Sequence, residues 1–407
     1  MNKKESVSKN VIYACIFIGL FGILIRFFLN RNFILSSDMD EHYHFALQLP
    51  LVLKVGITDF KIRVQYPHLI SYPGWHIFFD IIYFIILKCA ELFRWHIERE
   101  TIEIYSQAIE NTILILVIFA IIIKCYIQYY KINEYISIIC GFCLLFVGPL
   151  YVPQINSRYY LGQFTANPWH NPTIFMVKPF AIFCFFIFCY LYNHRGKMHK
   201  GKENILFAVF SISLLFSAWM KPSFYQAFLP ALCLFCIIDV VNTKFKEILF
   251  CLKTAIAVLP VCILAIMQYA TSFGESDISI IFAPWEVWNM YTPNKGGSIL
   301  LSMAFPIFVL FACKFRILRT VDGLLSQLFF FSAVIQFILF SFTGNAGTGD
   351  FLWGVYLSVL IVFMVCGNYF LKMKGIKFRI SGMILLMHFI CGLIYWIKVY
   401  DMGTFNL

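Results

Sequence analysis

The chain has 407 residues, of which 61% are hydrophobic and only 13% carry a charged side chain, and its formal net charge is +11. Repeated apolar stretches of about 20 residues match the hydrocarbon thickness of a bilayer. This composition excludes a soluble globular protein and predicts an all-α, polytopic bundle of transmembrane helices. In a soluble protein the positive charge would suggest nucleic acid as a partner, but here its distribution along the chain indicates membrane topology.

Lysine and arginine concentrate in alternate polar breaks between the apolar stretches. By the positive-inside rule, these basic breaks lie in the cytoplasm. Eleven spans fit the alternation, near residues 11–29, 106–124, 134–152, 173–192, 204–220, 223–240, 248–268, 298–313, 320–341, 351–371 and 380–399. They predict a single membrane domain over residues 1–407, with the N-terminus in the cytoplasm and the C-terminus outside, in a bacterial cytoplasmic membrane.

One apolar run, Ser71 to Cys89, is left over from this count. If it crossed the bilayer, every later loop would be inverted and the basic breaks would lie outside. We therefore expect it to form an interfacial or re-entrant helix, which is allowed where protein or water satisfies its ends. The first outer loop is then long, over residues 30–105, and further outer loops follow at 152–172 and 269–297.

Three carboxylates and two imidazoles follow the first span within a few residues, in the sequence Asp38-Met39-Asp40-Glu41-His42-Tyr43-His44. A carboxylate held at the membrane surface can act as a general base for a hydroxyl group, or can bind a cation that does so. Asp40 and Glu41 are the principal candidates, with Asp38 beside them. The alternative is a solvated acidic loop without a function.

Several histidines fall on the predicted outer side, among them His42, His44, His76 and His170. His42 and His44 are two residues apart, which differs from the i, i+4 pair of helical zinc motifs. A metal site would therefore need distant loops to converge. The alternative is that these histidines form hydrogen bonds with a substrate or with the carboxylates. No cofactor is certain from the sequence, and a divalent cation stays possible.

The predicted outer loop from Asn156 to Pro172 is rich in asparagine, tyrosine, tryptophan and histidine. Aromatic faces stack on sugar rings, and amide groups can donate to and accept from sugar hydroxyls. Candidate sugar-binding residues in this loop are Arg158, Trp169, His170 and Asn171. The alternative is a structured turn that starts the helix after Pro172.

Two Lys-Pro steps place cations near the outer leaflet, at Lys178-Pro179 and Lys221-Pro222. A lysine buried there is costly unless it is paired or reaches the interface. A lipid phosphate is one partner for these ammonium groups. Snorkelling of the long side chains to the interface is the alternative.

At this point the chain resembles the GT-C superfamily of membrane glycosyltransferases, which use polyprenyl-phosphate sugars. Asp40-Glu41-His42-Tyr43 is similar to the acidic motif of the protein O-mannosyltransferase and aminoarabinose-transferase branch. The interfacial segment, with Tyr66-Pro67 and Tyr72-Pro73-Gly74-Trp75-His76, adds to the resemblance. The resemblance covers roughly the first 200 residues. It implies transfer on the outer face, with the Asp of the acidic pair as base and basic groups holding the donor phosphate.

The sequence thus predicts an inverting glycosyltransferase that moves a sugar from a polyprenyl-phosphate-linked donor to a cell-envelope glycan or lipid-linked acceptor. The lipid bilayer is a further predicted partner, and nucleic acid is not. Asp40 would be the base, Glu41 and a neighbouring histidine its orienting partners, and Lys178, Lys221 and Arg158 the phosphate clamp. His42, His44 and His76 are candidate substrate-binding residues. One alternative is an O-antigen or capsule polymerase, whose active loops rely on arginines. Another is a transporter or flippase of lipid-linked sugars, which should pair ionisable residues at mid-membrane.

The predicted topology can be tested by labelling single cysteines, introduced on a cysteine-free background, with a membrane-impermeant thiol reagent. Cysteines beside Asp40, His170 and Asp350 should react in intact cells, because all three positions are predicted to lie outside. Cysteines beside Lys131 and Lys200 should react only after the membrane is opened. Reaction at the two lysine positions in intact cells would contradict the topology.

Overall fold

The computed structural model describes residues 3–30, 37–55, 66–273, 279–343 and 349–405. Helices dominate these residues. The helices are α1 (Lys3–Phe28), α2 (Asp38–Val55), α3 (Pro67–Ser71), α4 (Gly74–Leu92), α5 (Arg99–Lys124), α6 (Glu134–Phe146), α7 (Pro172–Asn193), α8 (Lys200–Met220), α9 (Ser223–Asn242), α10 (Ile248–Phe273), α11 (Glu286–Tyr291), α12 (Lys295–Ala312), α13 (Val321–Leu339), α14 (Leu352–Leu371) and α15 (Gly375–Met402). A π-helical turn, Cys125–Tyr129, extends α5, and a 3₁₀ turn, Arg316–Arg319, precedes α13. The predicted all-α membrane bundle is confirmed at this level.

Ten helical segments within the described residues are long and apolar enough to cross a bilayer. They comprise α1, α5 and the helices α7 to α10 and α12 to α15. Helix α14 lies at the centre, because nearly all of its side chains are buried by its neighbours. Helices α1, α10 and α15 are peripheral and expose apolar side chains over most of their length. This distribution is that of a bundle whose outer surface faces lipid.

The span predicted at residues 134–152 differs in the structure. Helix α6 there has 13 residues and ends at Phe146. At 1.5 Å per residue it is about 20 Å long, which is shorter than the hydrocarbon core of about 30 Å. Val147 is already extended, and Pro149 cannot donate a backbone hydrogen bond to continue a helix. The chain continues without regular structure to Asn171.

This irregular segment, residues 147–171, is buried within the bundle over its second half. Side chains of other elements satisfy its backbone groups. Ser302 of α12 accepts a hydrogen bond from the amide of Phe164 at 2.7 Å, and Trp288 of α11 donates to the carbonyl of Gly162 at 2.8 Å. Irregular backbone at membrane depth is stable only with such partners.

The run predicted to lie at the interface, residues 71–89, is contained almost entirely in α4. Gly74 at its start packs against Met220 at the end of α8. Further along, the ring of Phe79 contacts that of Tyr43, with centroids 5.6 Å apart, and the hydroxyl of Tyr83 accepts a hydrogen bond from Arg99 at 3.1 Å. Helix α4 thus runs beside α2 and the first turns of α5. The interfacial placement of α4 stays a prediction.

Two short strands, β1 (Ile280–Phe282) and β2 (Phe340–Phe342), form an antiparallel pair in which Ile280 lies opposite Phe342. The strands come from different loops, one before α11 and one after α13. They connect these loops across the end of the bundle where α2, α7 and α14 begin. Ile280 and Phe342 face a cavity at that end.

The backbones of α15 and the end of α6 approach each other closely. A Cβ atom on Gly392 would lie 1.8 Å from the carbonyl oxygen of Phe146 and 2.7 Å from the amide nitrogen of Gly148. Gly392→Ala should therefore lower the apparent melting temperature of the purified protein in detergent, because overpacking typically costs about 1–3 kcal/mol. Gly22→Ala is the matched control, since its new methyl group meets nothing within 4 Å. Equal melting temperatures for the two variants would contradict the packing.

Candidate functional site

A cavity of about 640 Å³ opens at the end of the bundle that the sequence places outside. Its walls come from α2, the loop before α7, the junction of α8 and α9, α10, and the start of α14. Ligand sites of small molecules typically have volumes of about 300–1,000 Å³. The cavity is therefore large enough for a sugar and its phosphate.

The acidic wall of the cavity is one face of α2. The hydroxyl of Ser37 accepts a hydrogen bond from the amide of Met39 at the start of this helix, at 3.3 Å. Asp38, Glu41 and His42 then follow at positions i, i+3 and i+4, which share a helix face, and all three line the cavity. Burial raises the pKa of Glu41, and the carboxylates of Asp38 and Asp350 raise it further. Three carboxyl groups thus lie close enough to influence one another.

The structure does not bring Asp40 and His44, two of the predicted site residues, into the described cavity lining. Both lie on another face of α2, where an oxygen of Asp40 is 3.6 Å from Nε2 of His44. The His44 side chain is 65% exposed and that of Asp40 is 33% exposed. The reason is helical periodicity, since a shift of two residues turns a side chain by about 200° around the helix.

The basic wall is Lys221, which lies between α8 and α9 and is buried. Its ammonium group donates a hydrogen bond to the hydroxyl of Thr173 at 2.7 Å and lies 4.5 Å from the ring centre of Trp353. Burial lowers the pKa of Lys221 to about 8, against an opposing effect of the carboxylates of Asp350 and Asp38. Lys221 is therefore still positively charged at neutral pH. Its burial makes that charge costly unless neighbouring groups compensate it.

Asn171 connects the two walls at the first turn of α7. Its Oδ1 accepts hydrogen bonds from the amide of Ile174 at 3.1 Å and the hydroxyl of Thr173 at 2.6 Å, and the ammonium of Lys221 lies 3.4 Å away. Its Nδ2 donates to Oδ2 of Asp38 at 2.7 Å. Asn171 is thus both the N-cap of α7 and a bridge between a carboxylate and an ammonium group.

His170 lies beside the same carboxylate, with Nε2 3.9 Å from Oδ2 of Asp38. Its Nδ1 forms a hydrogen bond of 2.8 Å with the hydroxyl of Tyr160, and its ring stacks on Phe405 with centroids 4.2 Å apart. Burial lowers the pKa of His170 to about 4, against a smaller opposing effect of Asp38. His170 is therefore neutral at physiological pH.

Lys178 was predicted to bind phosphate or to snorkel, and the structure supports neither. Its side chain is only 1% exposed and donates to Oδ1 of Asn167 at 3.1 Å. The amide of Asn167 in turn donates to the carbonyls of Leu144 and Val147, at 2.8 and 3.1 Å. Lys178 therefore stabilises the end of α6 through Asn167, and it does not line the cavity.

Three further predicted site residues lie away from the described cavity lining. Trp169 is buried among the rings of Phe146 and other aromatic residues. Arg158 is exposed on the loop, with its guanidinium 6.0 Å from the ring centre of Tyr291. His76 is buried and forms a hydrogen bond of 3.4 Å with His42, which lines the cavity.

Some cavity residues were not among the predicted site residues. Asp350 and Trp353 come from the start of α14, and Gln268 comes from α10. Gln268 donates to the carbonyls of Ser71 and Ala218, at 2.8 and 2.9 Å, and so holds α10 against the segment before α4. The sequence signal for Asp350 and Trp353 was their place at the outer end of a predicted span.

Among the described residues, no group of three or more histidine, cysteine, aspartate or glutamate side chains is arranged to hold a metal ion. A divalent cation therefore stays a prediction from the sequence. Asp59, Glu275 and Asp277, which the sequence places on the outer side, lie outside the described residues, as does the side chain of His68.

No protein-family model, curated protein or solved structure matches this chain. The membrane bundle, its cavity and the chemistry of the lining residues are therefore the observations from which a function can be argued.

The burial of Lys221 predicts a pH dependence of stability. Its pKa is 10.5 when exposed and about 8 in the folded protein, so the unfolded state binds more protons between these values. Stability should then rise with pH across this window. Lys221→Met removes the titrating group. The melting temperature of the wild type should therefore rise relative to that of the variant from pH 8 to about 10.5. If the melting temperatures of the two proteins changed with pH in parallel across this range, the lowered pKa of Lys221 would be contradicted.

Proposed function

We propose that the chain is a membrane glycosyltransferase that moves a sugar from a polyprenyl-phosphate-linked donor to a cell-envelope glycan on the outer face of the membrane. The observation that carries the proposal is the cavity in which Asp38 and Glu41 of α2 lie opposite Lys221. A carboxylate suits the hydroxyl that attacks, and an ammonium group suits the phosphate that leaves.

Asp38 is the carboxylate best placed to act as general base. It lines the cavity, and Asn171 donates a hydrogen bond to it that fixes the orientation of the carboxylate. Asp40, the base expected from the sequence motif, points away from the cavity toward His44. The proposal therefore assigns to Asp38 the role that the resemblance implied for Asp40.

Glu41 has a different role in this proposal. Its pKa is raised by burial and by the neighbouring carboxylates of Asp38 and Asp350. A carboxyl group of raised pKa holds its proton more readily and can donate a hydrogen bond to a sugar hydroxyl. Glu41 would thus orient the substrate, while Asp38 accepts the proton.

The transfer step follows from these positions. The acceptor hydroxyl attacks the anomeric carbon and forms the new glycosidic bond with inversion, while the bond between that carbon and the phosphate oxygen breaks. The hydroxyl proton passes to Asp38, and the lipid phosphate leaves with the bonding electrons and a negative charge. Lys221 stabilises this charge in a partly desolvated site, where such contacts are stronger than in water.

A lipid-linked donor is supported by the wall that α10 forms. Ala265 and Gln268 face the cavity, whereas Ile263, Ile266 and Met267 on the same helix are largely exposed on the apolar exterior. A single helix therefore separates the cavity from the predicted lipid. Tyrosine and tryptophan side chains, including Trp353 and Tyr356, supply aromatic faces in the cavity for a sugar ring.

The described lining gives less support to the two alternatives. No arginine occurs among the described residues that line the cavity, whereas a polymerase of the kind considered would rely on arginines. The cavity also lies at one end of the bundle and not at mid-membrane, where a transporter should pair its ionisable residues. The transferase proposal is therefore the one that the geometry favours.

The proposal can be tested with the full-length protein in lipid nanodiscs, a panel of short-chain prenyl-phosphate hexoses and an envelope glycan extract. Release of prenyl phosphate that depends on the extract is the expected activity. Asp38→Asn should lower its rate by a factor of roughly 10² to 10⁴, the usual effect of removing a general base. Asp40→Asn, two residues further along α2, should stay close to the wild-type rate.

Asp40→Asn is the matched control because it makes the same chemical change on the same helix, outside the described cavity lining. If Asp40→Asn were inactive and Asp38→Asn fully active, the assignment of the base would be wrong. If the wild type released no prenyl phosphate from any donor of the panel, the glycosyltransferase proposal itself would lose its support.

A further inference from the structure

Asn171 was predicted to bind substrate, but its side-chain contacts indicate another role. The group is 2% exposed. Oδ1 accepts from Thr173 and Ile174 and faces the ammonium of Lys221, while Nδ2 donates to Asp38. These partners determine the orientation of the amide, because a flipped side chain would direct an NH₂ group at three donors and an oxygen at a carboxylate.

We propose that Asn171 is a positioning residue that holds Asp38 ionised and oriented toward the acceptor while it keeps Lys221 from pairing with that carboxylate. This inference rests on the proposed function, since it assigns Asn171 a role in the same transfer step. Asn171 does not touch the reacting atoms. It acts through the hydrogen bond of 2.7 Å to Asp38.

The need for such a residue follows from the charges around Asp38. Glu41 on the same helix and Asp350 before α14 are carboxyl groups that line the same cavity. His170 on the other side is neutral, because burial lowers its pKa to about 4. His42, four residues along α2, also lines the cavity, and Lys221 is the lysine among the described lining residues, where Thr173 and Asn171 hold it.

A hydrogen bond from a neutral amide favours the ionised carboxylate without neutralising it. An ammonium group in direct contact with Asp38 would favour ionisation too, but it would lower the basicity of the carboxylate and occupy the cation that the phosphate needs. Asn171 separates the two charges with one planar group. Thr173 supports the arrangement, since its hydroxyl donates to Asn171 and accepts from Lys221.

Asn171→Ser tests this role separately from capping. Serine is about as good an N-cap as asparagine, but its short side chain cannot reach Asp38. The rate of transfer should fall by roughly 10- to 100-fold, the equivalent of a hydrogen bond to a charged group. The acidic limb of the pH–rate profile should move to higher pH, because Asp38 loses a contact that favours its ionised form. The KM for the donor should change less, since Lys221 keeps its hydrogen bond to the hydroxyl of Thr173.

Two further variants complete the experiment. Asn171→Asp retains a good N-cap and places a like charge beside Asp38, so the acidic limb should move further in the same direction. Asn133→Ser is the matched control, because Asn133 caps α6 by accepting from the amide of Tyr135 at 2.9 Å. It should leave the pH–rate profile unchanged. Infrared titration of the carboxyl band, assigned with Asp38→Asn, measures the same shift without any activity.

The outcomes separate the two proposals. If Asp38→Asn is inactive while Asn171→Ser keeps the wild-type rate and acidic limb, the positioning role is wrong and the glycosyltransferase proposal stands. If Asn171→Ser loses rate and melting temperature with an unchanged carboxyl titration, its role is only that of a cap, and the inference is overturned. If the wild type shows no transfer, the proposed function fails, and the infrared titration alone decides whether Asn171 controls the ionisation of Asp38.

Discussion

The burial of an irregular backbone segment is the constraint on which the rest of this structure depends. Residues 147–171 enter the bundle without helical hydrogen bonds, and unpaired backbone groups are costly away from water. The protein pairs them from several directions. Gly148 bonds in both directions with His388 of α15, at 3.2 and 2.7 Å, and the amide of Leu150 donates to the carbonyl of Leu301 at 2.9 Å. Helices far apart in sequence are thereby held to one segment.

The same segment ends with the residues that organise the cavity. Because its course is determined by α11, α12 and α15, the imidazole of His170 and the amide of Asn171 are presented to α2 in a defined orientation. Lys178, about two turns further on, anchors the segment through Asn167. A lysine that the sequence suggested for substrate binding thus contributes to the architecture that positions Asn171.

Hydropathy and charge predicted most of the helices, because a helix that crosses lipid must be apolar over a length that the bilayer sets. They could not locate the end of α6, since the residues after Phe146 are as apolar as a span but are buried by protein. Composition also placed the acidic motif near the end of the bundle where the cavity opens, yet it did not select the carboxylates that line it. Helical periodicity counted from Ser37 would have grouped Asp38 with Glu41 and separated Asp40 from both. The role of Asn171 depends on contacts with α8 and α2, which no local pattern contains.

The proposed transfer depends on the separation of charge in the cavity. A base and a phosphate-binding cation must lie within one sugar's length of each other, yet at that distance in a poorly solvated site they attract strongly and would pair. A direct pair would leave neither group available to substrate. The neutral bridge of Asn171 and Thr173 gives each charge a hydrogen-bonding partner while it keeps them apart. In the proposed mechanism Lys221 then remains desolvated with its charge only partly compensated, so an anion that enters the cavity would stabilise the site, and this interaction would favour binding of the phosphate group over a neutral sugar.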